Sequence, residues 1–288
     1  MAENAIVAED LTCEFGDLVA VDHINFCVSK GEILGFLGPN GAGKTTTVKM
    51  LTGQLKPKAG RGLLLGMDVA KNIERVQAEI GVCFEEINLY QRMSALENLN
   101  LFASLFTVKG FDAYALLKRV GLEGREKGRV ENYSKGMKQR LMIARSLVSR
   151  PQILFLDEPT AGLDPASSES IRNIILEERQ RGATIFLTTH DMLEADKLSD
   201  CVAFMNQGKI VAMDTPDNLK QKYGKRALKA KVSDASGKLK SREIDLDTPK
   251  TAEAIRNLFE KEKVVTIHSE EASLEDIFIK ITGRGLTE

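Results

Sequence analysis

The chain has 288 residues, 43% hydrophobic and 28% charged, with 40 basic against 41 acidic side chains. At about 150 residues per domain this is one large domain plus a smaller one, or two modest ones, with material for a sizeable core. Charge so evenly balanced supplies no field to gather nucleic acid, and no run reaches the roughly 18 apolar residues of a membrane span, so neither a nucleic-acid partner nor a transmembrane segment is expected.

Met1 to Asp10 lacks the basic start and apolar core of a secretory signal. Ala5 to Phe15 is irregular, whereas Leu18 to Val28 alternates apolar and polar residues, so an antiparallel edge sheet is expected first. The apolar run Ile33 to Leu37 then meets Gly38-Pro39-Asn40-Gly41-Ala42-Gly43-Lys44-Thr45-Thr46 and a helix-like stretch. A strand that delivers a glycine-rich turn into a helix N-terminus aims several N–H groups and the positive end of the helix dipole at one point. The ligand this predicts is a polyphosphate, with Lys44 reaching the β and γ phosphates and Thr45 ligating Mg2+. Further apolar runs at Ile80 to Phe84, Ile153 to Leu156 and Thr184 to Leu187 have the continuity of strands buried on both faces of a parallel sheet. Between Asn88 and Arg129 the strand signals vanish and Ser94 with Glu97 forms a capping box, so a helical insertion is expected over about 88–148.

The strand at Ile153 ends in Asp157-Glu158, and ligands of open α/β sheets collect at such carboxyl ends. Asp157 suits a hydrated Mg2+, and Glu158 suits orienting and deprotonating an attacking water. Ser134 and the N–H of Gly136, in Tyr133-Ser134-Lys135-Gly136-Met137-Lys138, could form a second phosphate-binding helix start. Cys201 to Met205 and Lys209 to Ala212, joined at Asn206-Gln207-Gly208, are expected to pair and close the large domain, placing domains at 1–222 and 226–288. The tail predicts a small α+β unit: strands at Leu228 to Val232, near Ile244 and at Val264 to Ile267, a helix from Pro249 capped by Thr248, and a final helix. Its basic run, with Lys225, Arg226, Lys229 and Lys231, could touch anionic lipid or simply form the solvent face of a strand. Cys13, Cys27, Cys83 and Cys201 contain no C-x-x-C pair and read as reduced, mostly packed thiols.

Phosphate loop, Ser134 segment, Asp157-Glu158, Pro159-Thr160-Ala161-Gly162-Leu163-Asp164 and Thr188-Thr189-His190 occur together in one order. In that order and spacing the chain, over residues 1 to about 220, resembles the ATP-binding-cassette (ABC) ATPases. The resemblance implies an α/β fold: a P-loop NTPase core with an antiparallel β edge sheet and a helical insertion, here followed by the small C-terminal α+β domain. It implies two ATP molecules sandwiched head to tail between this chain and a second ABC ATPase subunit, a homodimer or a heterodimer, the homodimer being the expectation. Ser134 and Gly136 would serve the partner's γ-phosphate, His190 would contact the γ-phosphate and the water, and Asp164 would link the two sites. Phe15 lies where relatives stack an aromatic on adenine, although an edge-sheet core residue is the other reading. Two departures stand out: Glu85, in Phe84-Glu85-Glu86, replaces a glutamine usually found beside Mg2+, and Lys135 and Met137 replace a commoner glycine and glutamine. Glu85 is therefore expected to face the cation and to sense the γ-phosphate, with a tighter demand for Mg2+. His23 and His268 match nothing.

Tyr-Ser-Lys-Gly-Met-Lys and the ending Ser273 to Arg284 resemble ATPase subunits of bacterial export systems with separate membrane subunits. The expectation is an ATP-hydrolysing motor, peripheral at the cytoplasmic face of the membrane, whose helical insertion works against integral membrane permease subunits, with Tyr90, Met93 and Leu96 as candidates for the contact or for internal packing. The other readings are a soluble ABC ATPase acting on a non-membrane partner and a non-catalytic nucleotide sensor.

Overall fold

The computed structural model describes residues 3–224, 227–233, 238–270, 272–283 and 285. Two long strands, β1 (Asn4–Phe15) and β2 (Leu18–Ser29), lead to β3 (Ile33–Leu37) and α1 (Lys44–Leu51). Then come β4 (Ala59–Leu64), β5 (Met67–Asp68), α2 (Ile73–Glu79) and β6 (Ile80–Cys83). The insertion holds α3 (Ala95–Leu105), α4 (Ala113–Arg119), a 3-10 turn at Val130–Asn132 and α5 (Lys135–Ser146). Strands and helices then alternate through β7 (Ile153–Asp157), α6 (Pro165–Gln180), β8 (Thr184–Thr189), α7 (Met192–Leu198), β9 (Cys201–Asn206) and β10 (Lys209–Asp214). The chain closes with α8 (Pro216–Tyr223), β11 (Ala227–Ser233), β12 (Leu239–Asp245), α9 (Thr251–Lys261), β13 (Lys263–Glu270) and α10 (Leu274–Thr282).

Among the described residues the central sheet runs β10-β9-β3-β8-β7-β6, and β9, β3, β8, β7 and β6 are mutually parallel. Period-two alternation sends neighbouring residues of each strand to opposite faces, so a continuous apolar run feeds two cores. Ile33, Leu154, Leu156, Ile185 and Leu187 join the core under the helical insertion, whereas Leu34, Phe36, Ile153, Phe155 and Phe186 face the edge sheet. In that second core Phe186 packs its ring 5.1 Å from Phe36, 5.5 Å from Phe155 and 5.9 Å from Phe26. The edge sheet, order β2-β1-β4-β5, is antiparallel. β1 looked irregular in sequence because its register with β2 shifts between Ala8 and Leu11, where Asp10 takes φ 52°. β4 and β5 had no legible pattern: Ala59–Leu64 opens with three exposed residues and gains its order from β1, through Ile6 opposite Leu64.

The chain divides into two compact units, Met1–Met213 and Asp214–Glu288. This division precedes the 222–226 boundary expected from sequence because α8 packs with α10, whose Lys280 Nζ donates to the Tyr223 carbonyl at 2.8 Å. The second unit has an antiparallel sheet ordered β12-β11-β13, with α9 placing Leu258 against Ala230 and Val232. Its helix α9 begins at Thr251 behind Lys250, with no side-chain cap, rather than at Pro249 behind Thr248. The Thr251 hydroxyl instead donates to the carbonyls of Asp245 and Thr248, tying the loop before the helix. Lys229 and Lys231 alternate with buried Ala230 and Val232 and occupy the exposed face of β11; Lys225, Arg226 and Arg284 lie outside the described residues.

Among the described residues no helix is long and apolar enough to cross a membrane. Cys13 and Cys83 are buried thiols and Cys27 is an exposed one.

Candidate active site

β3 lies inside the sheet between β8 and β9, so the loop after it opens beside the ends of β7 and β8. Gly43, the residue before α1, takes φ 108°, and a Cβ there would stand 2.3 Å from the Ala20 carbonyl oxygen, so only glycine fits. Lys44 then begins α1 with its ammonium folded back over the loop, donating to the carbonyls of Gly38 at 2.6 Å and Pro39 at 3.3 Å. Its Nζ also stands 3.3 Å from Glu158 Oε1. Both partners are nearly sealed from solvent, Lys44 at 6% and Glu158 at 7% exposure, where such a pairing is screened little.

The two carboxylates closing β7 are held differently. Asp157 accepts from Thr45 Oγ1 at 2.8 Å and, through its other oxygen, from the Thr188 hydroxyl. Glu158 sits in the left-handed region at φ 50°, a strained backbone for a side chain of this size. Its N–H donates to both the carbonyl and hydroxyl oxygens of Thr188, each at 3.1 Å, which holds that conformation. Its Oε2 lies 2.8 Å from His190 Nδ1, whereas Oε1 is buried beside Lys44 without a hydrogen-bond partner.

An open cleft of about 450 Å3 gathers Phe15, Pro39, Asn40, Gly41, Gly43, Lys44, Thr45, Thr46, Glu85 and Glu158. Phe15 is 52% exposed at its rim, which removes the edge-core reading. Glu85 lines the cleft from the loop after β6, exposed and making no hydrogen bond or ion pair among the described residues. Gln207 and Gly208 also line it, a pair that sequence suggested only as a hairpin turn. The Gly208 N–H donates to the Ala42 carbonyl at 3.0 Å, pinning the β9–β10 turn to the phosphate loop. Thr188, which fixes both carboxylates, was recognisable in sequence only as a strand-end residue; the signal for it was its place next to Thr189 and His190.

Ser134, Gly136 and Asp164 do not line this cleft; they gather where α5 and α6 begin. Ser134 caps α5 by accepting from the Met137 N–H at 3.2 Å, and Asp164 caps α6 by accepting from the Ser167 N–H at 2.9 Å. The Ser167 hydroxyl and N–H hold the Asp164 carboxyl below the usual aspartate range. A Cβ on Gly136 would meet Ser167 Oγ at 2.6 Å, so the two helix starts are packed in contact.

The donor set fits a magnesium nucleotide. Thr45, Asp157 and Glu85 offer the hard oxygens that Mg2+ takes, and Glu158 Oε1, which makes no hydrogen bond, lies beside Lys44. Among the described residues no group of three or more His, Cys, Asp or Glu side chains is placed to hold a metal ion.

A protein-family model described as ABC transporter matches residues 21–161. The chain is 44% identical to a fluoroquinolones export ATP-binding protein of Mycobacterium tuberculosis, over 93% of this chain and 89% of that protein. It is 35% identical to the bacitracin transport ATP-binding protein of Bacillus licheniformis, over 97% of this chain and 98% of the other. Among solved structures, an ATP binding subunit of an ABC transporter superposes with TM-score 0.70 at 28% identity, covering 76% of this chain and 93% of that one. The ADP conformation of an ATP-binding cassette does so with TM-score 0.66 at 26% identity, covering 75% and 93%.

Proposed function

This chain belongs to the ABC transporter family of ATP-binding proteins, and from that premise we propose that it is the ATP-hydrolysing motor of an export complex whose membrane-spanning subunits are separate polypeptides. The observation that carries the catalytic part is Glu158, with one oxygen on His190 and the other paired ionically with Lys44 but making no hydrogen bond. In this reading the phosphate loop holds the nucleotide, Lys44 turns from Glu158 to the γ-phosphate, and Glu158 Oε1 takes the proton of the attacking water. His190, through Nδ1, keeps Glu158 aimed at that water. Mg2+ would be held by Thr45 and Asp157 with Glu85 facing it, and when bound would neutralise phosphate charge. Phe15 would stack on the adenine from its exposed place at the rim.

The second half of each site would come from a second copy, whose α5 start presents Ser134 and Gly136. Neither residue lines the Lys44 cleft of its own chain, and Ser134 is exposed at the start of α5, which supports this. For the membrane partner, the supporting feature is a groove of about 330 Å3 lined by Phe84, Tyr90, Phe102, Phe106 and Arg145. Tyr90 and Phe106 are exposed in it, whereas Leu96 packs into the core of the insertion. Such a groove accepts a short amphipathic helix from a permease loop, at the cytoplasmic face of the membrane.

A non-catalytic sensor is disfavoured by the intact Glu158–His190 contact. The test is phosphate release from purified protein with Mg2+ and ATP, together with co-purification from cells. Release by the wild type but not by Glu158→Gln, and recovery of a polytopic membrane protein with the chain, are the expected results. Equal release by both proteins would overturn the catalytic assignment, and export activity independent of any membrane protein would overturn the motor assignment.

A further inference from the structure

The loop Pro159–Asp164 joins Glu158 to α6, and it carries two side-chain contacts that the hydrolytic chemistry does not require. From α5, Lys135 Nζ donates to the Ala161 carbonyl at 2.8 Å. The next residue, Gly162, has φ +65°, and a Cβ there would stand 2.5 Å from the same ammonium, so the lysine lies directly against the loop. From α7, Glu194 Oε2 accepts from the Thr160 hydroxyl. Glu194 is only 2% exposed, its Oε1 has no hydrogen-bond partner, and the Arg172 guanidinium is no nearer than 4.0 Å. Burying a carboxylate with so little compensation is costly, and its contact with Thr160 is what the structure gains in return. Burial accordingly raises the Glu194 carboxyl above the usual range.

The two anchors sit in telling places. α7 begins just after His190, which touches Glu158, and α5 begins just after Ser134. Consecutive residues of one loop are therefore tied to the helix that follows His190 and to the helix that Ser134 caps. We propose that Lys135 and Glu194 clamp the Pro159–Asp164 loop between α5 and α7, so that the state of the Glu158–His190 pair in one site is passed to Ser134 and hence to the nucleotide held against the second copy. This rests on the composite-site reading given above. Lys135 is here a positioning residue, since its ammonium is spent on a carbonyl of its own chain, and it replaces the glycine expected by resemblance.

Steady-state ATPase measurements over a range of ATP concentrations on the full-length chain test the clamp, using Lys135→Met, Lys135→Arg, Thr160→Val and the Lys135→Met/Thr160→Val pair. Lys135→Met should lower kcat about 10-fold with KM within about 2-fold, and should bring the Hill coefficient for ATP towards 1. Lys135→Arg, which keeps a donor, should recover most of the loss. Because both contacts hold one loop, the double variant should lose no more than the worse single one. Melting curves identify any variant that fails to fold, in which case the remaining single substitution and its cooperativity decide. Unchanged kcat and Hill coefficient in folded Lys135→Met, strictly additive losses, or a rise in KM alone would overturn the proposal. Size-exclusion of Glu158→Gln with ATP separates the two levels. A persistent monomer would overturn the composite site and the clamp with it, whereas an ATP-dependent dimer alongside an unresponsive Lys135→Met would overturn the clamp alone.

Discussion

Glu158 divides its two oxygens between His190 and Lys44, and this fixes what single substitutions should do. Glu158→Gln keeps the shape and the contact with His190 but removes the base, so phosphate release should fall by about 10²- to 10⁴-fold while ATP binding, read by fluorescent-analogue titration, persists. Thr188→Val removes the hydroxyl shared between Asp157 and the Glu158 N–H, and the strained Glu158 backbone loses a restraint. A kcat loss of about 10-fold, equivalent to roughly 1.4 kcal/mol, is expected from ATPase rates at saturating ATP. Burial pushes the Cys83 thiol up to about 12, with Arg145 opposing and Asp157 adding to the shift. Cys83 should therefore resist maleimide at neutral pH while exposed Cys27 reacts, as mass spectrometry of native and urea-unfolded protein would record. The residues meeting around Lys44 were legible because each stands in a short motif with its own chemistry. Thr188 and Gln207 were not, since their part depends on which strand ends lie side by side.

Elements were legible where the order is local. Ser94 and Glu97 announce α3, and both halves of the box form: the Glu97 N–H donates to Ser94 Oγ at 3.2 Å and the Ser94 N–H to Glu97 Oε2 at 2.7 Å. Ser94→Ala should cost about 1 kcal/mol at neutral pH, read from the urea midpoint. The Ser94 N–H and hydroxyl hold the Glu97 carboxyl below its usual range. A depressed folded pKa contributes stability above the unfolded value, near 4.3 for glutamate, and loses it as pH falls through the folded value. The difference between Ser94→Ala and wild type should therefore narrow on acidification below about pH 4. By contrast β4 and β5 owe their existence to β1, more than forty residues earlier, and no window of sequence around Ala59–Leu64 contains that partner. Helix α9 starts late for a related reason: Thr251 spends its hydroxyl on the preceding loop.

At the scale of the molecule, one sheet serves two cores and so ties the helical insertion to the edge sheet. Phe186 is the aromatic centre of the edge-side core, and Phe186→Ala should destabilise the first unit by about 3–5 kcal/mol, visible as a lowered calorimetric transition. Apolar runs disclosed these strands, but not their lateral order, because the placement of β3 between β8 and β9 is a property of the assembled sheet. The Lys44–Glu158 pairing has one further consequence. A loop whose cation is already neutralised by its own chain trades one ionic partner for another when a polyanion arrives, so the net release of counterions is small. ATP affinity should accordingly fall only gently as sodium chloride is raised, and Glu158→Gln, which takes the carboxylate from beside Lys44, should steepen that dependence.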